Sequence, residues 1–324
     1  MTSVPTARGV DIATSDLGVT MMHEHIFVLS PEINQNYPET WGDEETRVRD
    51  ALDELNEAKA RGVDTIVDLT VIGLGRFVPR IKRIAEATEL NIIVATGVYT
   101  WDQLPMYFNK QGPGTAAGGP EPMVEMFVRD IVEGIGDTGV RAGVLKCATH
   151  TPGLTPGVER VLRATAQAHR QTGAPICTHA YVIPNGADQQ RVFAAEGVDL
   201  SRVVLGHIDD AAARDLRYVE GLLGNGSFIS FDRFGREQVT ADRARVECVA
   251  ELCKRGYAGQ IVLSHDHPAY ADISNGNPPR NRYTTVVDLI VPMLHELGVS
   301  PEDVTRMLVD NPRRVFETRA LGAY

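Results

Sequence analysis

The chain is short of cysteine, of basic runs and of long apolar stretches, and each shortage removes a class of protein. Its four cysteines, Cys147, Cys177, Cys248 and Cys253, form no Cys-x-x-Cys pair, so neither a disulfide framework nor a structural zinc knuckle is expected. Lys and Arg number 32 against 43 Asp and Glu, a formal charge of −11. A surface of that sign repels nucleic acid and anionic membranes unless a basic patch is segregated, and no Lys/Arg run supplies one. No stretch approaches roughly eighteen apolar residues, and the opening residues contain no apolar export segment. A cytoplasmic protein acting on a small molecule is the expectation, with neither nucleic acid nor membrane as a partner.

What is present is an alternation. Short β-branched runs at 19–25, 64–70, 91–98, 142–147, 174–179, 202–207, 227–232 and 260–266 are separated by amphipathic stretches such as 44–60, 122–136, 157–171 and 239–255. The runs are continuously apolar rather than alternating, as in strands covered on both faces. Repeated βα units of this number predict an α/β fold, a closed (β/α)8 TIM barrel, with an open doubly wound sheet as the alternative. The dinucleotide-binding form of that alternative requires Gly-x-Gly-x-x-Gly after its first strand, which is absent. No linker or repeat divides the chain, so residues 1–324 read as one domain. The stretches 99–121 and 267–283 read as long loops, which in a compact fold usually wall a site.

The first run, "VTMMHEHIF", places His23, Glu24 and His25 among apolar residues. In a strand, positions 23 and 25 share a face, so their imidazoles converge. In a barrel the chemistry sits at the C-terminal ends of the strands. Those ends carry His23 and His25, Lys146, His179, His207 and Asp266. Singly, each has an ordinary explanation: a hydrogen-bonded rim histidine, a lysine reaching solvent, a helix-capping aspartate. Together they make a donor set suited to zinc, cobalt, manganese or iron. Lys146 is the odd member, because an ammonium beside a divalent cation must lose its proton or change its chemistry.

The ordered segments "HEH", "LKCAT", "CTHA", "LGHIDD" and "LSHD", with "GVDTIVDLTVIGLGR" and "MLVDNPRRVFE", resemble the phosphotriesterase family of the amidohydrolase superfamily, nearest its lactonase-like branch. The resemblance implies two divalent metal ions, zinc foremost with cobalt, manganese or iron as alternatives. His23, His25 and Asp266 would hold one, His179 and His207 the other, and an N6-carboxylated Lys146 and a hydroxide would bridge both. It implies hydrolysis by attack of that hydroxide, with Asp266 relaying the proton, and a homodimer. Tyr99 in "GVYTW" and Arg233 in "FDRFG" match substrate-contacting positions of the lactonase-like branch, and Asp210 matches a carboxylate behind the metals or caps a helix. The chain departs from those relatives after His179, where "AYVIPNGADQQ" lacks a Thr-His pair, and in 267–283, which lacks a Trp-containing segment. The expected activity is opening of N-acyl-homoserine or other γ/δ-lactones, with promiscuous hydrolysis of organophosphate triesters. A dedicated phosphotriesterase is the alternative, as is a sugar-lactone or sugar-lactone-phosphate hydrolase in which Arg280 and Arg282 meet the anion.

Overall fold

The computed structural model describes residues 2–273 and 281–317. Strands β1 (Ser3–Pro5) and β2 (Asp11–Ala13) form a small antiparallel hairpin. Then β3 (Thr20–Val28), β4 (Thr65–Asp68), β5 (Asn91–Gly97), β6 (Val144–Thr149), β7 (Ile176–Ala180), β8 (Val203–Leu205), β9 (Phe228–Phe231), β10 (Ile261–Leu263) and β11 (Pro268–Ala271) build one nine-stranded parallel sheet. Its order, β10-β9-β8-β7-β6-β5-β4-β3-β11, follows the chain except at the end. There the eighth expected run splits. Its first part, β10, pairs with β9, and its second part, β11, pairs with β3 through Pro268 opposite His25 and Ala271 opposite Val28. One continuous segment therefore bonds both the seventh barrel strand and the first, which closes the sheet. The fold is a (β/α)8 barrel, and the open-sheet alternative is excluded.

Side-chain alternation divides the strands between two cores. Ile92 and Val94 face the surrounding helices, whereas Ile93 and Ala95 face the barrel axis with Val67, Val144, Cys177, Val204 and Val262. Val4, Leu17, Val315 and Phe316 join that inner group, so the hairpin side of the barrel is plugged by hydrocarbon. The helices follow from local chemistry. Asp43 accepts the Thr46 N–H at 2.8 Å and caps Glu44–Ala60. Within that helix Val48, Ala51, Leu55 and Ala58, spaced by three and four, are the buried residues.

Two expectations needed revision. The 267–283 stretch is not wholly a loop, because its first residues form β11 once Pro268 lies against β3. The 99–121 stretch contains a short helix, Met106–Lys110. Among the described residues no helix is long and apolar enough to cross a membrane.

Candidate metal centre and substrate cavity

The pairing of β3 with β4 shifts register between Met21 and Glu24. Met22 belongs to the inner core and Met21 to the outer one. Strict alternation would therefore send His23 outward. The irregularity re-phases the strand, so His23 and His25 line the cavity at the strand ends instead.

Four imidazoles meet there in sequence. The rings of His25 and His23 lie 5.7 Å apart, those of His23 and His207 4.6 Å, and those of His207 and His179 4.4 Å. Such an approach requires Gly206 before His207, since a Cβ there would fall 2.2 Å from the Thr178 carbonyl oxygen and 3.0 Å from His23 Nδ1. Asp232 fixes two of the rings. Its Oδ2 lies 2.7 Å from His23 Nδ1, its Oδ1 lies 2.7 Å from His207 Nδ1, and Oδ1 also accepts the His207 N–H at 3.0 Å. Both Nδ1 atoms donate to this one carboxylate, which leaves both Nε2 lone pairs directed away from it. Burial opposes the charge of Asp232, but His207 and His23 together hold its carboxyl well below the usual range. The sequence reading missed Asp232. The rule that found the other groups, inspecting what ends each strand, would have found it too, because Asp232 directly follows β9.

Lys146 projects from β6 and is almost wholly buried, its Nζ 2.8 Å from His23 Nε2 and 3.5 Å from the Thr178 carbonyl oxygen. Burial lowers its pKa from the ordinary lysine value. Burial, with the nearby Lys146 charge, also lowers His23 to about 3, and burial with His207 carries His179 well below the normal histidine value. His25 Nδ1 bonds Thr70 Oγ1 at 2.8 Å, while its Nε2 lies 3.3 Å from Asp266 Oδ1. Asp266 sits at φ 53 and His207 at φ 61, backbone conformations that only a well-determined surrounding maintains. Burial works against the Asp266 charge, but Arg236, His207, His25 and His23 hold its carboxyl well below the carboxylate range.

The donor chemistry fits divalent metal ions. His23, His207 and Asp266 offer ligand atoms within 4.8 Å of one another. His179 Nε2 is buried with no hydrogen-bond partner among the described residues, an orphan that a metal would satisfy.

Glu24 turns to the other side of β3 and is fully buried. Its Oε1 accepts the Ser264 hydroxyl at 2.6 Å and the His265 N–H at 2.9 Å and lies 2.6 Å from His265 Nδ1. Its Oε2 accepts the His267 N–H at 2.9 Å. One carboxylate thus ties down both neighbours of Asp266. His267 in turn lies 2.6 Å from Glu54 Oε2 and 2.9 Å from Asn281 Oδ1.

Above the cluster opens a cavity of about 390 Å3, whose wall includes Tyr99, Trp101, His150, Tyr181, Arg233 and Arg236. His150 stacks between Trp101 at 4.2 Å and Tyr181 at 4.7 Å, and the Arg233 guanidinium lies 4.8 Å from the Tyr181 ring centroid. Trp101 Nε1 donates to the Tyr99 hydroxyl at 2.8 Å, and burial pushes the Tyr99 phenol up to about 12. All eight residues singled out from sequence, His23, His25, Tyr99, Lys146, His179, His207, Arg233 and Asp266, line this one cavity. Trp101, His150, Tyr181 and Arg236 were not expected.

Two secondary readings need comment. Asp210 does not support the imidazoles; with Asp209 and Asp242 it surrounds the fully buried Arg245, at 3.1, 3.0 and 3.1 Å. Arg282 is exposed and outside the cavity wall, its N–H donating to Thr285 Oγ1, and Arg280 lies outside the described residues.

Known proteins carry the same plan. Residues 2–316 match the phosphotriesterase family profile. The chain is similar to the phosphotriesterase homology protein of Mycobacterium tuberculosis, 56% identical with both chains covered completely. It is also similar to the aryldialkylphosphatase of Saccharolobus solfataricus, 34% identical over 97% of this chain and 99% of that one. The solved structure of the phosphotriesterase from Mycobacterium tuberculosis superposes with a TM-score of 0.95 over 98% of each chain. With its barrel, its cluster of His and Asp donors and this family match over nearly its whole length, the chain belongs to the phosphotriesterase family of hydrolases.

Proposed function

We propose that the protein is a metal-dependent lactonase that opens γ- and δ-lactone rings, N-acyl-homoserine lactones included, and hydrolyses organophosphate triesters promiscuously. The observation supporting this is the convergence of four imidazoles, Lys146 and Asp266 beneath a cavity walled by Tyr99 and Arg233. In this reading His23, His25 and Asp266 would hold one divalent ion, His179 and His207 would hold a second, and a carboxylated Lys146 would add a further ligand. Bound there, such ions lower the pKa of water and polarise the substrate's carbonyl or phosphoryl oxygen.

The chain's own residues do the rest. Asp232 keeps the His23 and His207 rings in the tautomer whose Nε2 is free to bind. Burial lowers the Lys146 pKa, which favours the uncharged amine that carboxylation needs. Asp266, ionised at the start of each turn, accepts the proton of the attacking water at a carboxylate oxygen. The Tyr99 phenol stays protonated at neutral pH and already accepts from Trp101, so its O–H is left to donate to the ester or leaving oxygen. Arg233, which lines the same cavity, contacts the substrate. The protein acts as a single 1–324 unit and, by family likeness, as a homodimer.

Zinc-loaded protein assayed against a γ/δ-lactone panel and an aryl dialkyl phosphate tests the reading. A higher kcat/KM for at least one lactone is expected. Faster turnover of the triester than of every lactone replaces the lactonase with a dedicated phosphotriesterase.

A further inference from the structure

Arg233 and Arg236 come from one tight turn. The Arg236 N–H donates to the Arg233 carbonyl at 3.1 Å, and Gly235 between them adopts φ 81, a left-handed value that suits glycine at this corner. Gly235 N–H bonds Asp242 at 3.0 Å, pinning the turn. Both side chains reach the cavity wall.

Neither guanidinium is fully spent within the protein. Arg233 makes no side-chain hydrogen bond or ion pair among the described residues, only the contact with the Tyr181 ring. The carboxylates that help keep it charged are engaged elsewhere: Asp209 and Asp210 hold Arg245, and Asp266 faces the imidazoles. Arg236 donates through Nη2 to the Asp266 carbonyl and lies 3.9 Å from Asp266 Oδ2, but its Nε has no hydrogen-bond partner among the described residues. Both residues are half-buried at the cavity wall, and a planar fork beside a cavity is the shape that receives a carboxylate.

We propose that Arg233 and Arg236 form an anion subsite, so that the preferred substrate carries a carboxylate in addition to the bond to be hydrolysed. This rests on the hydrolase reading for the position of the reacting bond, and it moves the anion site from the loop arginines to the turn after β9. The aromatic stack of Trp101, His150 and Tyr181 then covers the apolar span between the two ends of the substrate.

The test uses dead-end ligands on the zinc-loaded protein. Pentanoate has one carboxylate for the metal end, whereas succinate, glutarate and adipate add a second at increasing distance. Calorimetry is expected to show at least one diacid binding roughly tenfold or more tighter than pentanoate, the value of one charge-assisted contact. That advantage should shrink to within about twofold in Arg233→Leu and in Arg236→Leu. Equal binding of diacids and pentanoate by the unaltered protein overturns the proposal without any variant, as does an advantage that survives both substitutions. Kinetics on a lactone bearing a ring carboxylate and on its methyl ester separates the two readings. Hydrolysis without charge preference sinks the subsite alone. Preferential diacid binding by a protein that hydrolyses neither compound sinks the hydrolase alone.

Discussion

The two faces of β3 carry the same kinds of side chain in opposite states. Behind the strand, Glu24 engages Ser264, His265 and His267, while His265 Nε2 accepts the Val286 N–H at 2.9 Å. In front of it, His179 Nε2 has no hydrogen-bond partner among the described residues, and Lys146 is buried against an imidazole and one carbonyl. Ionisable groups that satisfy one another hold a fold together, whereas groups left short of partners are held ready for something the protein must bind. Residue type alone does not separate the two roles, since histidine and carboxylate occur on both faces.

The contrast breaks most sharply under substitution. Glu24→Ala strands the donors of Ser264, His265 and His267 and should lower unfolding free energy by about 3–5 kcal/mol in denaturant titrations. Little change would place Glu24 outside the structural network. Lys146→Met should do the reverse, stabilising the metal-free protein by about 1 kcal/mol while abolishing turnover, because it replaces a buried amine with a thioether of similar length. A destabilised Lys146→Met protein would show that the amine serves the fold. Asp232→Asn disturbs the carboxylate that orients the front-face rings of His23 and His207, and a metal affinity lowered about 10- to 100-fold, read by competition with a chelator, is expected. Unaltered affinity would remove Asp232 from the site.

The smallest effect concerns pH. With His23 lowered to about 3, its ring should remain uncharged at pH 5 in metal-stripped protein, and His179 should titrate below the ordinary histidine value. Histidine ring signals in NMR check this, and a ring titrating near the ordinary value of about 6.5 contradicts it. The linkage sign follows. Between those values the unfolded chain binds protons that the folded one does not, so the contribution of His23 to stability is complete above pH 6.5 and is lost as pH falls toward 3.

The βα alternation read the barrel, and the strand ends gave six of the cavity residues because those positions are tied to the fold's geometry, whereas Tyr99 and Arg233 came from the family resemblance. Asp232 was left out when the seventh strand's end was not considered. Arg236 and Tyr181 lie past strand ends, in turns whose path depends on tertiary packing, and periodicity says nothing of where such side chains go. Alternation puts His23 and His25 on one face, but both reach the cavity through a register shift that no period-two pattern contains. Asp210 lies in the first turn of a helix rather than behind the metals, and "HIDD" in sequence does not reveal its partner Arg245, which lies 35 residues away along the chain. The split of the eighth strand at Asp266 was equally hidden, since a left-handed aspartate has no local signature.

The central claim is that the front-face donors exist to hold a pair of metal ions bridged through Lys146. Elemental analysis of protein loaded with zinc and then freed of excess metal tests it most directly, run beside Lys146→Ala with and without a short carboxylic acid. The account predicts about two ions per chain, loss of bound metal in the variant, and partial recovery of metal and turnover when the acid stands in for the missing carbamate. A metal-free yet fully active protein, or a Lys146→Ala variant with undiminished metal and activity, would contradict it.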